Sequence, residues 1–131
     1  MIDVTKREMR RAFSLHVESA GNASNLSERL LLIYAAETGL KALLMDQRKA
    51  NIASQLPLIA ELGHDLRGLL KELRARPTIT VRVTRTIQKV PQHVECRSLH
   101  QAFRYGVELE DGDSVVLDLK AVCDWIRERM R

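Results

Sequence analysis

The stretch ERLLLIYAAETGLKALLM, residues 28–45, constrains this chain more than any other. Asn25 or Ser24 can cap a helix here, with Glu28 in its first turn, and the helix runs to about Arg48. Leu26, Leu30, Ile33, Tyr34, Leu40, Leu43 and Leu44 form a wide apolar stripe. Leu31, Leu32, Ala35 and Ala36 extend it nearly all the way round. A helix apolar on every side must be covered on every side. It is central to a bundle or buried between subunits. Glu37 and Lys41 interrupt it four residues apart, in the favourable order for an ion pair. Polar groups at such positions must be paired, and they fix register or serve a site.

The rest of the chain supplies partners for that helix. Thr5 and Glu8 form a capping box at the start of a first helix, which carries Met9, Ala12, Phe13 and Val17 at helical spacing and fades by Gly21. Residues 50–63 hold a loop and a short helix. Asp65 caps a third main helix with Leu66, Leu69, Leu70 and Leu73 on one face, stopping near Pro77. In the stretch 78–90, Ile79, Val81 and Val83 alternate with Thr80, Arg82 and Thr84, a strand pattern. Residues 96–105 return to a short helix that Gly106 can end, and 107–117 resemble a hairpin around Asp111-Gly112. Asp118 then caps a last helix with Leu119, Val122, Cys123 and Ile126 on one face. At 131 residues the expectation is a single domain, mainly α, with four to five helices and a small β insertion.

Charge is unevenly spread. Residues 1–65 balance eight basic against eight acidic side chains, residues 66–104 carry nine against two, and residues 105–131 carry four against seven. The basic middle either attracts a polyanion such as RNA or pairs with the acidic end. Cys96 and Cys123 are too few and too distant for a disulfide framework or a zinc site. No apolar run is long enough for a membrane span and no leader pattern opens the chain, so the expectation is a cytoplasmic protein. No phosphate-binding glycine loop and no zinc or nucleophile motif occurs, and the four histidines are scattered, so no cofactor or metal is expected.

The strongest chemical signal is HQAFRYG, residues 100–106. On a helix His100 and Arg104 share a face, with Arg97 one turn earlier. A histidine that moves a proton and an arginine that stabilises a phosphorane charge are the minimum set for metal-free RNA cleavage. Arg82, Arg85 and Lys89 would guide the RNA, and Tyr105 or Phe103 would stack on an unpaired base. The bland reading has His100 bonded to a backbone carbonyl and Arg104 paired with an acid. His64 and Asp65 read as structural, Asp65 as the cap and His64 bonded to nearby backbone.

The pairing of ERLLLIYAAETGLKALLM with GHDLRGLLKEL, residues 63–73, resembles the HEPN superfamily of bacterial and archaeal helical domains. The resemblance covers about a third of the chain. It implies a bundle of four or five helices, often dimeric, found in toxin–antitoxin pairs and phage defence. Its active members are metal-independent endoribonucleases with an arginine followed after four to six residues by a histidine in a late helix. Here the late helix has the order Arg97, His100, Arg104, and the only forward matches, Arg10 or Arg11 to His16, lie in the first helix. The resemblance therefore implies a non-catalytic module, dimerising through the second helix and binding a partner protein or RNA. The alternative is a nuclease using His100 with Arg97 or Arg104. A DNA binder is compatible with the basic stretch, but no helix-turn-helix spacing is present.

Overall fold

The computed structural model describes residues 2–131. Helix α1 (Lys6–Ala20) starts at the capping box: Thr5 Oγ1 accepts from the Glu8 N–H at 3.1 Å, and Glu8 accepts from the Thr5 N–H at 3.0 Å. Helix α2 (Leu26–Gln47) starts at Asn25, whose side chain accepts from the Glu28 N–H at 2.8 Å. Helices α3 (Pro57–Leu62) and α4 (Leu66–Glu72) follow, with Gly63 in the left-handed region at φ +52° between them. Asp65 caps α4 by accepting from the Gly68 N–H at 3.1 Å.

Helix α2 is the centre of the bundle. Helix α1 lies along it, and α4, α5 (Leu99–Arg104) and α6 (Gly112–Met130) also pack on it. Ala35, Ala36, Leu40 and Leu44 are fully buried in the chain's own core. The close fit explains Gly39: an added Cβ would stand 2.7 Å from Phe13 Cδ1 and 2.8 Å from Ile126 Cγ2. Leu40 and Leu44 are thus covered from within one chain.

The fold is mainly helical with one small antiparallel sheet, as the pattern implies. Four local expectations are corrected. Helix α4 ends at Glu72, well before Pro77. The strand at 78–90 shrinks to β1 (Val83–Arg85), paired with β2 (His93–Glu95) in the register Thr84 opposite Val94. In β1 the face turned inward is Thr84, while Val83 is 52% exposed. Threonine can be buried there because its hydroxyl is satisfied: Thr84 Oγ1 donates to Asp111 Oδ2 at 2.7 Å.

The hairpin at 107–117 does not form. Leu109 makes a single bridge to Thr86, and Gly112 already begins α6. Val115, Leu119, Val122 and Ile126 all face the core, so helical burial overrides the β-branched pair Val115-Val116. Asp118 is consequently inside the helix rather than at its cap. It accepts from the Thr80 N–H at 2.9 Å and hydroxyl at 2.8 Å, holding the extended segment before β1 against α6. Among the described residues no helix is long and apolar enough to cross a membrane.

Candidate functional site

Two groups of side chains meet on one side of α2. The first begins at Glu37, which is 9% exposed on an apolar helix and needs partners. Lys41 Nζ, one turn on, lies 3.6 Å from Glu37 Oε2. His64 Nδ1 lies 2.5 Å from Glu37 Oε1, so the ring donates to the carboxylate. His64 thus reaches across to α2, not to the neighbouring backbone as expected.

The His64 ring stacks on His100 with centroids 4.0 Å apart and planes inclined by 31°. His100 is buried, and burial pushes its pKa below the ordinary value, with the facing His64 and Arg104 adding to the effect. The Arg97 backbone hydrogen-bonds to this ring and opposes the shift, as the bland reading of His100 anticipates. Arg104 donates to the Tyr34 hydroxyl at 2.7 Å, which raises the arginine's pKa. No acid pairs with Arg104 among the described residues. Tyr34 in turn lies 6.0 Å, ring to ring, from His16 of α1. A row of polar side chains therefore runs from Lys41 through Glu37, His64, His100 and Arg104 to Tyr34. Two stacked imidazoles lie within it, of which His64 is the one that reaches solvent.

The Arg97 side chain does not join this row. It pairs with Glu95 at 3.2 Å and faces a second feature, a groove of about 760 Å³ between α4 and the segment that follows it. Arg67, Lys71, Arg74, Arg82 and Arg97 line the groove. The two acids there are already engaged, Asp65 as the α4 cap and Glu95 with Arg97. The Arg67 guanidinium donates to the Ile79 carbonyl and ties the far wall to α4. The Cys96 thiol is buried at this wall, and burial pushes its pKa up.

Of the residues expected to contact RNA, Arg82 lines this groove. Arg85 is drawn to Glu110 at 3.6 Å, and Lys89 stands exposed in the loop between β1 and β2. Tyr105 is 75% exposed at the end of α5, while Phe103 is buried in the core and cannot stack on a base. Arg67, Lys71 and Arg74 stand in the sequence only as part of a basic stretch, and the fold brings them to one wall. Sequence reasoning missed Tyr34, although Tyr34, Glu37 and Lys41 sit at helical spacing as a polar stripe on an apolar helix. Among the described residues no group of three or more His, Cys, Asp or Glu side chains is disposed to hold a metal ion. No family model, curated protein or solved structure matches this chain.

Proposed function

We propose that this protein is an RNA-binding module of the HEPN kind, without catalytic activity of its own, working in the cytoplasm in an RNA-related or defence setting. The observation that carries the reading is the disposition of the basic segment. Of its nine lysines and arginines, Arg85 alone pairs with an acid of the C-terminal third. Lys71, Arg74, Arg76, Arg82 and Lys89 meet no carboxylate among the described residues. Of these, Lys71, Arg74 and Arg82 line the groove, and positive charge left uncompensated there is the electrostatic footprint of a polyanion site. The two free, buried thiols fit a reducing compartment. Binding of a labelled oligoribonucleotide, read by fluorescence anisotropy, tests the proposal. Arg74→Glu and Arg82→Glu each weaken binding at least about tenfold, while Lys120→Glu, exposed on α6, leaves it nearly unchanged. Equal effects at all three positions would sink the groove as the site.

A second reading, metal-independent RNA cleavage, draws support from His100 and Arg104 sharing one polar row with His64. RNA cleavage in EDTA, lost in both His100→Ala and Arg104→Ala, would establish it. An inactive wild type leaves binding as the function.

A further inference from the structure

A second depression, of about 590 Å³, adjoins the basic groove at Glu95, which lines both. Its size lies within the range of roughly 300–1,000 Å³ that takes a small-molecule group. Its chemistry differs from that of the groove. No lysine or arginine lines it. Gln88, Gln92, Gln101 and Ser98 offer neutral hydrogen-bonding groups, and Tyr105 offers an aromatic face.

Two of the amides are fixed to each other. The hydroxyl of buried Thr86 donates to Gln88 Oε1 at 2.7 Å and accepts from the Gln92 N–H at 2.9 Å. Gln92 Nε2 donates to the same Gln88 oxygen at 3.3 Å. These bonds consume the Gln88 oxygen and one Gln92 donor. They leave Gln88 Nε2 as a donor and Gln92 Oε1 as an acceptor, each with no other partner among the described residues. A free donor and a free acceptor on two linked amides are the kinds of group that the Watson–Crick edge of an unpaired base bonds, and an exposed tyrosine ring complements its face.

We propose that this depression receives an unpaired nucleobase of a single-stranded RNA whose phosphates lie in the adjoining basic groove. The inference rests on the RNA reading above and adds to it the strandedness of the ligand. In a duplex the base edge is already paired and the face already stacked, so neither group of the depression is satisfied.

The test compares three ligands on the full chain: a single-stranded oligoribonucleotide, the same strand annealed to its complement, and inorganic polyphosphate. The single strand binds roughly tenfold tighter than the duplex. Tyr105→Ala removes roughly tenfold from single-strand affinity, Tyr105→Phe restores it, and Gln92→Ala gives a smaller loss in the same direction. Polyphosphate affinity is unchanged in all three variants, because it uses the groove alone. If polyphosphate binds but Tyr105→Ala has no effect on the single strand, or weakens polyphosphate equally, the inference fails and the groove reading stands. If neither RNA nor polyphosphate binds, the groove reading fails and takes this inference with it.

Discussion

Replacing Gly39 with alanine tests the packing that seats the central helix. The new Cβ would stand 2.7 Å from Phe13 Cδ1, 2.8 Å from Ile126 Cγ2 and 2.9 Å from Ile126 Cδ1. Phe13 belongs to α1 and Ile126 to α6, and both side chains are buried, so relief requires adjustment on two helices. Alanine brings a helix-propensity gain of about 1 kcal/mol over glycine. Overpacking of a filled core costs about 1–3 kcal/mol, and two neighbours struck together place this site in the upper half of that range. The net loss is therefore about 1–2 kcal/mol. With an unfolding entropy near 2.1 cal/mol/K per residue over 131 residues, Tm falls by about 4–7 °C. Thermal unfolding followed by far-ultraviolet circular dichroism measures this. A Gly39→Ala variant as stable as the wild type, or more so, would refute the close approach of α1 and α6 to α2.

Leu44→Asp places a charge in a fully buried position, so it yields an unfolded chain, read by loss of the cooperative melt. A folded monomer from this variant would instead put Leu44 at a subunit seam. The depressed pKa of His100 gives a pH dependence with a definite sign. Burial, then His64 and Arg104, lower it from 6.5, so below that pH the unfolded state binds the proton that the folded state resists. Stability is fully present above the unfolded value and declines as pH falls through it. Tm therefore drops between about pH 7.5 and about pH 5.5, and His100→Gln flattens that drop. An equal drop in both proteins would contradict the assignment. The depressed carboxyls of Glu8 and Glu28 enter only lower, as pH falls below 4.5.

Elements whose determinants are local were legible in the sequence. Thr5 with Glu8 and Asp65 each place a helix start to the residue, and Asn25 or Ser24 with Glu28 places the second to within one, because a cap and its donor lie within one turn. The near-continuous apolarity of α2 reads as burial for the same kind of reason, and the packing of α1, α4, α5 and α6 around it places that burial at the centre of the bundle. What failed depends on distant partners. Asp118 carries the chemistry of a cap, but Thr80, thirty-eight residues away, claims its carboxylate. Asp111-Gly112 looks like a hairpin turn until the buried face from Val115 to Ile126 is seen to be helical. The site divides along the same line. His100 and Arg104 share a face within one short helix, so their proximity is local. Glu37 meets His64 only because α4 docks on α2. The Arg97 side chain belongs to the groove although its backbone belongs to the histidine cluster, a division that residue spacing does not encode.

RNA affinity as a function of salt measures whether the groove binds phosphate. Five cations line the groove, and each phosphate contact on a single strand contributes about −0.7 to the slope of log K against log salt. With Arg97 paired to Glu95 and Arg67 held at the Ile79 carbonyl, the remaining three give a slope of about −2 for the wild type, made shallower by about 0.7 when Arg74 is replaced by glutamine. An affinity insensitive to salt, or a slope that Arg74→Gln leaves untouched, would contradict it.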